Sequence, residues 1–362
     1  MIPSRRRALF EPLRLRGIDV RNRLWVPPMC QYAVTARDGI ATPWHLVHLG
    51  SFARGGAGAV IAEATAVVPE GRISPEDLGL WNDAQRDALR PVVDFLHGQG
   101  AAAGIQLAHA GRKGSTFRPY GTDRAGSVPV EDGGWPTVAP SPVAFDGLAT
   151  PRELDREGIH EVVSAFAAAT RRAVDAGFDL VEVHAAHGYL LHEFLSPLSN
   201  RRSDEYGGSL EGRARLLLEV VDAVRAELGP ERALLVRFSA TDWVEGGWTL
   251  EDTCTVAGWV RARGVDLFDV SSGGNASARI PTGPGYQVPF AAAVRAATGA
   301  PVAAVGMIDQ AFQAEQVLVT GQADVVLAGR QMLRDPHFAL TAAAELGVSD
   351  PPVPGAYERA YR

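Results

Sequence analysis

The stretch Asp179-Leu-Val-Glu-Val-His184-Ala-Ala-His187-Gly-Tyr189 reads as a β-strand that opens into a loop. Residues 180–183 are apolar apart from Glu182, and the amphipathic segment before them stops at Ala176-Gly177, a helix C-terminus signal. A helix therefore feeds a strand, and a polar cluster sits at the strand's C-terminal end. Side chains alternate along a strand with period two, so His184 and His187 converge only if the chain bends, which places a bend at Ala185-Ala186. Two histidines satisfied separately, or half of a zinc site, are the alternatives. A zinc site needs a third protein ligand, whereas the neighbour here is Gly188-Tyr189, whose phenol suits proton donation.

The same alternation runs outward in both directions. Strands are expected at 24–27, 59–66, 103–108, 180–184, 234–239, 267–271, 302–305 and 325–328. Helical patterns fall near 43–54, 83–98, 158–175, 211–228, 250–262, 289–298, 310–320 and 331–345, with Leu217, Val220, Val221, Val224 and Leu228 sharing one face. Eight strand–helix units point to an α/β fold, a (β/α)8 TIM barrel forming a single domain over 1–362, with a doubly wound sheet as runner-up. A Gly-Ile-Asp turn between Phe10 and Val20 predicts an N-terminal hairpin ahead of the first barrel strand. From Ala110 to Thr150 twelve of 41 residues are Gly or Pro, too long for a barrel loop, so a lid or insertion is expected over the third strand.

Composition narrows the partners. At 362 residues and 46% hydrophobic content the chain can bury a large core, and 35 Lys plus Arg against 42 Asp plus Glu leave a net charge of −7. That balance disfavours nucleic acid or an anionic membrane and favours a small-molecule substrate. No apolar run has the length of a signal peptide or membrane span, so a soluble cytoplasmic protein is expected. Cys30 and Cys254 are the only cysteines, which offers neither a disulfide framework nor a Cys-ligated cluster.

Polar residues inside apolar strands point to a ligand. Arg237 lies in Leu234-Leu-Val-Arg-Phe-Ser and Gln106 in Gly104-Ile-Gln-Leu-Ala. A buried guanidinium needs acceptors, either a ligand or a Glu182 partner on the adjacent strand. Gly306 and Gly329-Arg330 end the last two strands, where barrel loops commonly cradle phosphate.

Pro27-Pro-Met-Cys30-Gln-Tyr32, Glu63-Ala64-Thr-Ala, Gln106-Leu-Ala-His-Ala-Gly-Arg-Lys113, His184-Ala-Ala-His187-Gly-Tyr189 with Glu193-Phe-Leu-Ser-Pro, and Gly329-Arg330 together resemble the Old Yellow Enzyme family over essentially the whole chain. Cys30 and the C-terminal Tyr357-Glu-Arg359 resemble its thermophilic-like ene-reductase branch. The resemblance implies a barrel enzyme that binds FMN, takes hydride from NADPH or NADH, and reduces activated carbon–carbon double bonds in a ping-pong cycle.

Carried onto this sequence, the resemblance implies that Arg237 meets the N1/O2 edge of the flavin and Gln106 its pyrimidine ring. Pro27, Pro28, Met29 and Ala64 pack along the isoalloxazine, Cys30 approaches its O4/N5 edge, and Gly306, Gly329 and Arg330 hold the phosphate. His184 and His187 bind the substrate carbonyl, Tyr189 supplies the proton, and Tyr32 and Lys113 line the substrate pocket. The tail 351–362 is expected at the interface of a homodimer or homotetramer, with Arg359 completing the neighbour's substrate pocket. A metal is not expected, and the multidomain dienoyl-CoA reductases, with their iron–sulfur cluster, are set aside by the cysteine count. A zinc-dependent hydrolase would leave Gln106 and Arg237 without purpose; a non-catalytic flavin-binding protein would not need Tyr189 beside paired histidines.

Overall fold

A computed structural model describes residues 7–361; Met1–Arg6 of the basic N-terminus and Arg362 of the tail lie outside the described residues. A short hairpin of β1 (Leu13–Leu15) and β2 (Ile18–Val20) precedes β3 (Leu24–Trp25), α1 (Pro43–Arg54), β4 (Ala59–Ala66), α2 (Asp83–Gly98) and β5 (Ala102–Ala108). An excursion follows, containing β6 (Val138–Ala139) and β7 (Arg152–Glu153), before α3 (Arg156–Ala176), β8 (Leu180–Ala185), α4 (Leu190–Leu195), α5 (Leu210–Leu228) and β9 (Ala233–Ser239). The remainder is α6 (Leu250–Ala262), β10 (Leu267–Ser271), α7 (Val288–Thr298), β11 (Val302–Val305), α8 (Ala311–Val319), β12 (Val325–Leu327), α9 (Gly329–Arg334) and α10 (Phe338–Glu345).

Eight parallel strands pair in the order β3-β12-β11-β10-β9-β8-β5-β4. A Val26–Val60 bridge, with Val26 N–H on Ala59 O at 2.9 Å, joins the two ends and closes the barrel. Closure excludes the doubly wound sheet, which has free edges.

The strand alternation divides the core in two. Val181, Val183, Val236, Phe238, Phe268 and Val270 face outward into the layer shared with the helices. Trp25, Ile61, Leu180, Leu235, Leu267 and Leu327 face inward, where Leu15 and Val20 of the hairpin pack on the N-terminal ends of the strands. Burying each of those two hairpin side chains is worth about 1.5–3 kcal/mol, so the hairpin is the floor of the barrel. The helices start where side chains cap them: Asp155 accepts from Gly158 N–H on α3 and Ser209 from Gly212 N–H on α5. The helix α3 ends on Gly177 at φ 99°, which hands the chain directly to β8.

Beyond shifts of a residue or two at element ends, three features differ from expectation. The first barrel strand stops at Trp25 rather than residue 27, because Pro27 and Pro28 carry no N–H for the ladder. The helix expected near 331–345 is two, α9 and α10, separated at Asp335-Pro336. The six-residue α4 was not expected; it follows directly from the loop that carries Tyr189. Among the described residues no helix is long and apolar enough to cross a membrane.

Candidate active site

The polar side chains that interrupt the inward face in β8, β9 and β10 each follow an apolar residue nearer the start of the strand. In β8, Leu180 is followed by Glu182 and His184; in β9, Leu235 by Arg237; in β10, Leu267 by Asp269 and Ser271. The barrel therefore has an apolar floor and a polar ceiling. Gln106 Nε2 donates to Glu182 Oε1 at 2.7 Å, and Arg237 Nε lies 2.8 Å from Asp269 Oδ2 without hydrogen-bond alignment. Asp269, absent from the sequence reading, takes the place proposed for Glu182, because the register sets Arg237 beside His184 on one side and Asp269 on the other. A charged residue within Leu-Phe-Asp-Val-Ser was the signal that could have found it.

Burial dominates the electrostatics. It pushes Glu182 up to about 8, helped by the Asp269 charge, and Asp269 up to about 6 against the pull of Arg237. Glu182 Oε2, both Asp269 carboxylate oxygens and Arg237 Nε have no protein hydrogen-bond partner. Unsatisfied buried polar atoms on this scale are costly in a core and ordinary beneath a ligand.

Above them the loop after β8 brings three functional rings together. His184 and His187 meet edge to face with centroids 5.2 Å apart, and Tyr189 meets His184 at 5.0 Å. The bend that achieves this comes later than Ala185-Ala186: β8 runs through Ala185, and the turn spans Ala186–Tyr189, closed by Tyr189 N–H on Ala186 O at 3.2 Å. Its central residues have φ of 59° at His187 and 73° at Gly188, the signs of a type I′ turn. A left-handed histidine costs about 1–3 kcal/mol and needs support. Ser239 Oγ accepts its N–H at 2.9 Å, and Lys113 Nζ donates to its carbonyl at 2.8 Å and to Gly274 O at 2.9 Å. Gly188 is required here, because a Cβ would overlap the Gly274 carbonyl.

Burial, then the positive charge of Arg237, holds both imidazoles well below the usual histidine range, so they are neutral at pH 7. Burial and the neighbouring Cys30 keep the Tyr189 phenol well above its usual range, so it keeps its proton. Tyr189 packs with Cys30 and Tyr32 against Ala64, Ala108 and Ala110, which brings the first motif to the third ring. Lys113 Nζ stands 5.1 Å from the Tyr189 ring centroid and 4.6 Å from that of Phe145 in the excursion.

A cavity of about 400 Å³ opens beside this cluster, lined by Pro27, Pro28, Met29, Arg237, Gly306, Gly329 and Arg330 among others. That size suits a small-molecule or cofactor site. Seven of the ten residues expected to touch a cofactor thus share one cavity. The other three, Cys30, Ala64 and Gln106, lie in the Tyr189 cluster or on the barrel ceiling. Gly306 at φ 126° closes one end, with a Cβ there lying 3.0 Å from Gln287 Nε2. A second cavity of about 440 Å³ lies against Cys30 and Tyr32 and is walled by Trp44, Arg118 and Tyr120. Arg359 sits on an exposed turn of the tail and lines neither cavity. Among the described residues no group of three or more His, Cys, Asp or Glu side chains is arranged to hold a metal ion.

Residues 8–348 match the NADH:flavin oxidoreductase / NADH oxidase family. The NADPH dehydrogenase of Listeria monocytogenes serotype 4b is 47% identical over 356 residues, which are 98% of this chain and 99% of that protein. Among solved structures, morphinone reductase in complex with tetrahydroNAD superposes with a TM-score of 0.77 at 29% identity, covering 96% of this chain and 93% of that one. The old yellow enzyme homologue from Zymomonas mobilis superposes with a TM-score of 0.76 at 28% identity, covering 94% and 93%.

Proposed function

Because this chain belongs to the NADH:flavin oxidoreductase / NADH oxidase family of Old Yellow Enzyme type and is an FMN-dependent oxidoreductase, we propose that it reduces the carbon–carbon double bond of α,β-unsaturated carbonyl compounds at the expense of NADPH or NADH. The observation that carries this reading is the set of three rings, His184 buried and His187 and Tyr189 half-buried, two neutral imidazoles and a protonated phenol, meeting beside the cofactor-sized cavity.

The cavity, with the barrel ceiling and the Tyr189 cluster beside it, fits FMN. Pro27, Pro28, Met29 and Ala64 offer apolar contact to a planar ring system, Gln106 and Arg237 offer donors at its polar edge, and Gly306, Gly329 and Arg330 offer room and positive charge for a phosphate. The unpartnered atoms of Arg237, Glu182 and Asp269 then have a reason to be buried there. When bound, FMN supplies the hydride chemistry, accepting from the nicotinamide and donating to the alkene in separate half-reactions.

His184 and His187 bind the substrate carbonyl oxygen through their N–H groups and stabilise the negative charge that develops on it. Ser271 Oγ, which donates to Gln287 Oε1 at 3.4 Å, lies 2.8 Å from His187 Nε2 and holds that ring in place. Neutral imidazoles donate without putting a full buried charge beside Arg237. The Tyr189 hydroxyl holds the proton for the α-carbon. Tyr32 and Lys113 line the substrate side, and the 110–150 excursion covers it.

We further place the enzyme in the cytoplasm as a homodimer, or a homotetramer built from one, with the tail reaching the neighbour's site. Tyr357 packs on His337 at 6.0 Å and under the Arg54 guanidinium at 5.7 Å, which anchors the tail, while Arg359 and Tyr361 remain exposed for a second copy. Anaerobic stopped-flow tests the activity: the purified protein is expected to be yellow, to bleach with NADPH, and to recover its colour with cyclohexenone. A protein that carries flavin, is reduced by NADPH, and is not reoxidised by any of a panel of enones, enals, maleimides and nitroalkenes overturns the ene-reductase reading.

A further inference from the structure

Behind the three rings lies a buried pair that the reaction itself does not use. His192 in α4 and Asp242 in the loop after β9 both have side chains with no solvent exposure, and His192 Nε2 lies 3.1 Å from Asp242 Oδ1. The approach lacks hydrogen-bond alignment, and neither atom has a hydrogen-bond partner. On the far side of the ring, His192 Nδ1 accepts the backbone N–H of Gly188 at 2.9 Å. A backbone amide can only donate, so Nδ1 carries no proton and the imidazole N–H is on Nε2, facing the carboxylate.

Asp242 is itself held from three directions. Its Oδ2 accepts from Ser196 Oγ at 2.5 Å, from Trp248 N–H at 3.0 Å and from Asn275 Nδ2 at 3.3 Å. These donors oppose the effect of burial, and together with His192 they hold the Asp242 carboxyl down at about 2. Asn275 belongs to the loop after β10, whose Gly274 carbonyl presses on Gly188. The carboxylate thus joins α4 to the loops after β9 and β10.

We propose that His192 and Asp242 are a positioning pair for the catalytic turn: Asp242 fixes the Nε2–H tautomer of His192, whose bare Nδ1 then anchors Gly188 N–H and holds the left-handed turn that aims His187 and Tyr189 together. The proposal rests on the roles given above to those two rings. The turn's other side-chain anchors come from Ser239 and Lys113, and His192 supplies a side-chain anchor from the helix that follows, beside the backbone bond of Glu193 N–H to Tyr189 O at 2.8 Å. The tautomer is essential, because a proton on Nδ1 would face the Gly188 N–H donor to donor.

Ring-¹⁵N correlation spectra of the wild-type holoenzyme read the tautomer directly. The expected result is a His192 proton on Nε2 and a bare Nδ1; a proton on Nδ1 overturns the pair whatever any variant does. Two substitutions separate the contacts. In His192→Asn the amide Oδ1 stands at the same bond distance from the backbone as Nδ1 and still accepts from Gly188, whereas in His192→Gln the amide reaches one atom further and misses it. Hydrogen exchange at the Gly188 amide is expected to be at least tenfold faster in His192→Gln than in His192→Asn. Reoxidation of the reduced enzyme by cyclohexenone is expected to fall by up to about 100-fold in His192→Gln, the scale of an ångström misplacement, with reduction by NADPH affected less and His192→Asn recovering most of the loss. Equal exchange and equal reoxidation in the two variants would overturn the proposal. If wild-type enzyme is not reoxidised by any activated alkene, the functional reading fails, while tautomer and amide exchange still decide the pair.

Discussion

Arg237 and Asp269 are register partners on adjacent strands, β9 and β10, and their charged groups stand 2.8 Å apart on the ceiling of the barrel, where Arg237 lines the cavity. Removing one member of such a pair leaves the other buried alone, which costs about 3–5 kcal/mol. Arg237→Ala is therefore expected to lower the melting temperature, weaken FMN retention and slow flavin reduction by NADPH. The double variant Arg237→Ala/Asp269→Asn is expected to recover stability but not FMN retention. Wild-type flavin content and reduction rate in Arg237→Ala would show that the guanidinium serves only the core.

Tyr189 keeps its proton because burial holds the phenol well above its usual range. Tyr189→Phe removes that proton while preserving the ring that packs on His184 at 5.0 Å. Enone-driven reoxidation is expected to slow by about 10²–10⁴-fold, the usual worth of a positioned proton donor, with FMN content and reduction by NADPH retained. Unchanged turnover of cyclohexenone refutes the role.

Glu193 gives a pH signature. Burial raises its carboxyl from 4.5 to about 8, while Arg112 and Lys113 pull the other way. The folded protein binds this proton more tightly than the unfolded chain does. Its contribution to stability is therefore full below about pH 4.5 and is lost as pH rises through about 8. Glu193→Gln keeps the Arg112 N–H acceptor and abolishes the titration. The variant is expected to gain on wild type by about 1.4 kcal/mol for each pH unit inside that window, measured by denaturant unfolding from pH 5 to 8. Parallel stability curves for the two proteins would show that the carboxyl is not raised.

The tail offers a fourth test. Deleting residues 355–362 removes Tyr357 from His337 and Arg54 and removes Arg359 altogether. Enone reduction is expected to suffer more than FMN binding, with the protein shifting toward monomer in sedimentation velocity. A truncated monomer with full activity excludes action across a dimer interface.

Local physics made the barrel readable before any coordinate. Period-two strands alternate with amphipathic helices, and the stop at Ala176-Gly177 is a left-handed helix end, both of which depend on neighbours within a few residues. The meeting of His184, His187 and Tyr189 was legible for the same reason, since one strand end and one turn contain them. The split between α9 and α10 at Pro336 was equally local and was simply overlooked.

The partners were not legible, because barrel stagger decides which inward residues share a level. Glu182 and Asp269 are both acidic and both two residues into an apolar run, yet the β8–β9 register sets Leu235 opposite Glu182, while the β9–β10 register sets Arg237 opposite Asp269. The left-handed φ at His187 depends on a hydroxyl from β9 and an ammonium from the loop after β5. His192 and Asp242 lie on different units of the chain and meet only because α4 folds back over the loop after β9. Periodicity carries the direction of each side chain, but the closing of the sheet assigns its neighbour, and the chemistry of this site lies in those neighbours.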